Sequence, residues 1–553
     1  MDFNDIRIAY FSMEVGVRSD IPTYAGGLGV LAGDALKSAA DLEHPMVGIT
    51  LLYRKGYFRQ KITDRGQSEK PQEWNPDDHL KKLPDEVTIK IGNEDVRIGC
   101  WLYEVEGVTG AKVPLLFLDT DLDSNNDLAR QITDRLYYGD HRHRIAQEMV
   151  LGIGGVEMLK KLGCNVEKYH MNEGHSSFLT LALYRDISLE DIRKMCVFTT
   201  HTPVDAGHDK FDKDIIMDMV REYIPDNPDV RIFDDHHLNM THLGLRFSGY
   251  VNGVARKHMK VSKSMFPGHE IESISNGIHT HFWAAEPLQK LFDKYIPDWK
   301  EDPYSLRSVM NVPDDEMWNA HIEAKQALLD AVKQRTDVQF HPARFTIGFA
   351  RRFVEYKRPD LIIHDSKRLK KIAEEKGDIQ VIFSGKAHPH DKKGSDLIRR
   401  IVKASEDFRG KVRIVFLEDY DIETAKLMVS GCDLWLNNPQ RPYEASGTSG
   451  MKAALNGVPQ MSTLDGWWLE GHIEGVTGWS IGLHPLDPEF DKDVGPEDEA
   501  EDFYTKLREK VIPMFYGKRK EWIDMMKHCI AINASFFNTH RMMQQYILDA
   551  YHK

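Results

Sequence analysis

Short β-rich apolar runs alternate with helix-period segments along nearly the whole chain, and this alternation restricts the fold more than any other feature. Strands are predicted at Arg7–Phe11, Val113–Leu118, Val166–His170, Met195–Thr200 and Ile271–Ser275, and again at Phe345–Phe349, Ile379–Phe383, Val412–Phe416, Leu434–Leu436 and Trp479–Ile481. Helices are predicted between them, at His141–Leu162, Pro359–Lys376 and Asp391–Ala404. Strands separated by helices pair in parallel, so the expected class is α/β with doubly wound parallel sheets. A single core stops growing at about 250–300 residues. The 553 residues therefore predict two Rossmann-like domains, 1–276 and 277–553, hinged after Ser275-Asn276-Gly277, with an irregular stretch at Glu301–Asp314. The helical stretch Lys520–His552 is expected to cross back over the first domain or to form an interface. Ligands of such sheets sit beyond the carboxyl ends of the strands, here in a cleft between facing domains.

The formal net charge of −14 repels nucleic acid and anionic membranes, so neither is expected as a partner. Any pocket that handles phosphate must then be locally basic. Cys100, Cys164, Cys196, Cys432 and Cys529 are dispersed and odd in number, which predicts reduced thiols and a cytoplasmic setting. The first residues lack the basic start and long apolar core of a signal peptide, and no apolar run suits a membrane span. The acidic run Asp487–Glu501 reads as a solvated loop.

The richest segment is Asn437–Gly457. Ser446, Gly447, Thr448, Ser449 and Gly450 are small or hydroxyl-bearing and open a helix, where free N–H groups favour an anion. Thr448 and Lys452 lie four apart on one helix face. A phosphate near Thr448 and an aldehyde at the Lys452 amine would fit a phosphorylated aldehyde cofactor. Taken alone, the run is more plainly read as a glycine-rich helix start with a solvent-facing lysine. Arg351, Arg352, Lys357 and Arg358 follow a strand and form either a clamp for two phosphates or a basic surface turn. Tyr24–Asp34 contains Gly26-Gly27-Leu28-Gly29, which allows close approach to an anion or a plain tight turn. His201 and Asn276 each follow a short apolar run, where clefts form; a core histidine is the plainer reading of His201. Tyr169–His175 has the spacing His-x-x-Glu-x-His rather than that of a zinc protease, and no metal is expected.

The Glu444–Lys452 run, ending in Thr463-Leu464-Asp465-Gly466, resembles the cofactor-lysine signature of the glycogen/starch phosphorylase family. Phe349–Arg358 is similar to that family's phosphate-binding element, and the glycine loop resembles one shared with glycogen synthases. The likeness runs from Arg7 to about Gly482 and suits the shorter bacterial or archaeal branch, including maltodextrin phosphorylases. It implies the GT-B fold, pyridoxal 5'-phosphate, and retaining phosphorolysis of an α-1,4-glucan by inorganic phosphate to α-D-glucose 1-phosphate. Lys452 would carry the cofactor as an anchor, with Thr448, Gly447 and Arg351 around it. Arg352 and Lys357 would bind substrate phosphate, as would Gly26, Gly27 and Leu28. Glu444, Ala445, Ser446, Gly447, Asn276 and His201 would line the glucose site, with Asn172 and Glu173 at its floor. Arg351 stands where the long members carry lysine, so a planar fork replaces a point donor. The resemblance also implies a homo-oligomer, and an enzyme lacking phosphorylation or nucleotide control through an N-terminal extension. A nucleotide-sugar glucan synthase-like transferase is the alternative; it would share the fold and the glycine loop but have no use for Lys452.

Overall fold

The computed structural model describes residues 2–63, 66–204, 207–227, 230–487, 490 and 495–552. It divides into two compact units. Unit 1 comprises Met1–Phe58, Pro71–Ser275 and Thr539–Lys553; unit 2 comprises Arg59–Lys70 and Asn276–Asn538.

Unit 1 is built on a nine-stranded sheet. Its order is Glu272–Ser273, Tyr250–Gly253, Cys196–Thr199, Lys168–Asn172, Ile8–Ser12, Met46–Leu51, Lys112–Asp119, Glu94–Glu106 and Lys81–Ile91. The first seven pair in parallel. The Ile8–Ser12 and Met46–Leu51 strands are buried at every residue, as strands covered on both faces must be. The last two strands depart from the all-parallel expectation: Lys81–Ile91 and Glu94–Glu106 are antiparallel. Only Gly92 and Asn93 separate them, and so short a connection joins antiparallel neighbours alone. The predicted helix His141–Leu162 is interrupted by a π-helical turn at Val150–Gly154. There a Cβ on Gly152 would stand 2.6 Å from the Leu179 amide nitrogen, so only glycine permits the approach.

The Thr539–Tyr546 helix and the Ile547–Tyr551 turn complete unit 1. Ser38 and Thr539 hydroxyls bond at 2.6 Å, and His540 meets Asp41 at 3.2 Å. The Tyr551 hydroxyl bonds His170 Nδ1 at 2.7 Å, while Asn252 donates to the Tyr546 hydroxyl at 3.0 Å.

Unit 2 carries a six-stranded, wholly parallel sheet. Its order is Val412–Leu417, Ile379–Ser384, Phe345–Ala350, Leu434–Asn437, Gln460–Thr463 and Gly478–Ile481. The winding reverses between Phe345–Ala350 and Leu434–Asn437, the point at which open α/β sheets form their crevice. The chain leaves those two strands at Arg351 and Asn438. In unit 1 the reversal falls between Ile8–Ser12 and Lys168–Asn172, whose ends lead into Glu14 and Glu173.

The acidic run is corrected by the structure. Positions 488–489 and 491–494 lie outside the described residues, but Pro496–Lys506 is a helix rather than a solvated loop. Glu499 is only 3% exposed. Arg358 and Arg441 neutralise it, the first in a direct ion pair and the second at 3.9 Å.

Candidate active site

In unit 2 the helix Thr448–Leu455 starts from Gly447, whose φ of 91° is left-handed and favours glycine. No side chain caps this helix start. Gly450 sits in its first turn because a Cβ there would fall 1.5 Å from Gln460 Oε1. Lys452 is 7% exposed, and its Nζ lies 3.9 Å from the centre of the Trp283 ring. Asn456 ties that contact together, donating to the carbonyls of Trp283 at 3.0 Å and Lys452 at 2.9 Å. A lysine held in this way is a buried amine, not the solvent-facing one that composition alone allowed.

Around the strand ends, Arg351 Nη1 donates to Asn437 Oδ1 at 2.9 Å, and its Nη2 pairs with Glu444. Lys357 donates to the same Glu444 oxygen at 2.5 Å and is itself 7% exposed. Burial disfavours the Glu444 anion, but the Arg351 and Lys357 charges prevail and hold its carboxyl at about 2. Asp465 takes the Glu444 backbone N–H at 2.8 Å and that of Gly466 at 2.9 Å. Burial first, with the Glu444 charge adding, pushes Asp465 up to about 7. Two donors and an acceptor remain available: Arg351 Nε and the Ser446 hydroxyl are buried without a hydrogen-bond partner. Orphan donors beside an uncapped helix start suit a phosphate. The residues present therefore fit pyridoxal 5'-phosphate, with Lys452 as the amine. Arg352 is exposed, and Ala445 and Thr448 are half-buried. Asn276 is buried where unit 2 begins its long segment, beside Gly277 and Ile278, which pack on Phe537 and Asn538.

Unit 1 gathers the remaining residues. Gly26 precedes the helix Gly27–Asp41, again without a side-chain cap. A Cβ on Gly26 or Gly27 would meet nothing within 4 Å, so these glycines front open space. His201 Nε2 lies 2.6 Å from Asn172 Oδ1. The amide orientation is fixed, because Asn172 Nδ2 donates to Ser12 Oγ at 3.0 Å and that hydroxyl donates to the Glu14 carbonyl. Nε2 of His201 must then carry the proton, leaving Nδ1 as an acceptor. Burial lowers the His201 ring to about 3, so it stays neutral. Glu173, at φ 75°, takes the His201 N–H at 2.7 Å and the Thr202 hydroxyl at 3.0 Å through Oε2. Its Oε1 is buried without a partner, and burial raises the carboxyl to about 7.

Residues 18–96 and 209–474 match the carbohydrate phosphorylase family. The chain is 39% identical to the maltodextrin phosphorylase of Thermococcus litoralis, over 99% of this chain and 70% of that protein. It is 35% identical to the glycogen phosphorylase of Aquifex aeolicus, over 99% of this chain and 86% of that one. The chain belongs to the carbohydrate phosphorylase family. A glycogen phosphorylase of Mycobacterium tuberculosis is 36% identical over 98% of this chain and 70% of its own length.

Against the family signature, the structure unites Arg351, Lys357 and Glu444 and sets Lys452 under Trp283 in one phosphorylase unit. Four supporting residues were given no role from sequence: Glu14, Asn437, Trp283 and Tyr137, whose hydroxyl donates to Glu14 Oε1. Glu14 and Asn437 end or follow central strands, and that position was a usable signal. Trp283 and Tyr137 enter only through tertiary packing, which no local pattern encodes.

Proposed function

We propose that this phosphorylase-family chain is an α-glucan phosphorylase that releases α-D-glucose 1-phosphate from the non-reducing end of glycogen, starch or maltodextrin. The buried Lys452 amine under Trp283, one turn into an uncapped helix start, is the observation that carries this reading. Lys452, Thr448, Gly447 and Arg351 hold pyridoxal 5'-phosphate. Bound there, the cofactor supplies a second phosphate group able to exchange a proton with the substrate phosphate. We read the mixed, mainly parallel sheet of unit 1 and the parallel sheet of unit 2 as the halves of a GT-B fold.

The chain's own groups act as fixed charges and hydrogen-bond partners. Arg352, Lys357 and the Gly26-Gly27-Leu28 loop bind inorganic phosphate and stabilise charge as it moves, Gly26 by leaving the approach open and Gly27 and Leu28 through their N–H groups. Glu444, with its carboxyl held at about 2, is ionised at every working pH and accepts from a glucose hydroxyl. Neutral His201 offers Nδ1 as a further acceptor, while Asn276, Ala445, Ser446 and Gly447 complete the sugar site. The phosphate proton passes to the departing glycosidic oxygen as the C1–O4 bond breaks. A phosphate oxygen then bonds C1 on the same face, retaining the α configuration. Lys452 anchors and does not react with the sugar.

The test is an absorbance and fluorescence scan of the purified protein before and after borohydride, with Lys452→Ala alongside and phosphorolysis of maltodextrin assayed in both. A near-ultraviolet band locked by reduction and missing in Lys452→Ala is expected, together with phosphate-dependent release of glucose 1-phosphate by the wild type alone. No chromophore after incubation with pyridoxal 5'-phosphate would refute the cofactor assignment.

A further inference from the structure

The Ser12–Glu14 segment touches both parts of the unit 1 constellation. Ser12 fixes Asn172, and through it the His201 tautomer. Glu14, 3% exposed, takes the backbone N–H of Ala25 at 2.6 Å and of Gly26 at 3.0 Å on its Oε2. Its Oε1 takes the Tyr137 hydroxyl at 2.9 Å. Tyr137 sits at φ 54°, a left-handed conformation that a bulky side chain rarely holds unless its surroundings require it. The Arg144 guanidinium lies 4.8 Å from its ring. Gly29 belongs to the same clamp: a Cβ there would stand 2.7 Å from Glu14 Oε2, and its carbonyl takes the Gly16 N–H at 2.8 Å.

We propose that Glu14 is the positioning residue of the glycine loop. Its carboxylate occupies the Ala25 and Gly26 N–H groups, so that Gly27, Leu28 and Gly29 are the donors left to face an anion. The inference rests on the phosphorylase reading, because the anion they meet is then the substrate phosphate. Charge and geometry oppose each other here. A carboxylate near the site repels phosphate, while its three hydrogen bonds set the loop that binds phosphate. Substitutions separate the two effects.

Glu14→Ala removes the tie and should raise the phosphate KM about tenfold or more, in the range expected for losing hydrogen bonds to a charged group, with the glucan KM within about threefold of wild type. Glu14→Gln keeps an amide oxygen for the two N–H groups and drops the charge, so its phosphate KM should stay at or below that of the wild type. Tyr137→Phe frees only Oε1 and should give a smaller rise in the same direction. An unchanged phosphate KM in Glu14→Ala, or an equal rise for both substrates, overturns the proposal. Should Glu14→Ala not fold, an unchanged phosphate KM in Tyr137→Phe does the same. A wild type without phosphorolysis would overturn the functional reading instead; calorimetric binding of inorganic phosphate to the same variants then decides the role of Glu14.

Discussion

Replacing Glu444 by glutamine removes the single anion that Arg351 and Lys357 share. Its carboxyl falls from the ordinary 4.5 to about 2, which at 1.36 kcal/mol per pH unit favours the ionised form by about 3 kcal/mol. The side chain is 11% exposed, so solvent screens little of this. Breaking a buried pair from one side costs about 3–5 kcal/mol, the same order. At about 2–4 °C per kcal/mol for a unit of this size, Glu444→Gln should lower the melting temperature of the cofactor-free protein by roughly 6–12 °C. The lowered carboxyl stabilises the fold fully above its unfolded value of 4.5, and that contribution is lost as pH falls towards about 2. The gap between wild type and variant should therefore be equal at about pH 7 and pH 5.5 and narrow below about pH 4. Differential scanning fluorimetry in phosphate-free buffer reads it, and added phosphate should raise the variant's melting temperature more than the wild type's. A variant melting within about 1 °C of wild type at neutral pH would refute the reasoning.

Gly27→Ala and Gly33→Ala should separate fold from function. A Cβ at Gly27 meets nothing, so that variant should keep its stability within about 0.5 kcal/mol by urea unfolding while losing phosphate affinity. A Cβ at Gly33 would stand 2.1 Å from the Gly16 carbonyl oxygen, and that variant should lose about 1–3 kcal/mol or more. Glu173 titrates at about 7 in the fold, above its ordinary 4.5, so its ionisation removes stability as pH rises from about 4.5 to 7. Glu173→Gln should accordingly gain on the wild type in melting temperature between about pH 5 and pH 8, and an equal difference at both would count against the assignment.

The strand–helix alternation was legible because parallel strands are buried on both faces and read as short apolar runs; Phe345–Ala350 and Ile379–Ser384 begin where predicted. The hairpin Lys81–Glu106 was missed because its strands mix charged and apolar residues at a sheet edge. The Lys452 motif is contiguous and so could be found in one dimension. Gly26 was legible in the glycine loop, but its bond to Glu14 appears only in three dimensions, and Glu499 looked solvated because its cationic partners are distant in sequence.

Unit 1 cannot close when its main segment has been made. Tyr546 and Tyr551, which satisfy His170, Thr199 and Asn252, follow the whole of Asn276–Asn538 in the chain. At about 5–20 residues per second, a ribosome needs roughly 10–50 s to cross that interval. Throughout it the nascent first sheet lacks Met542, Met543 and Tyr546, which belong to its core, and the apolar surface they later cover is open to chaperones.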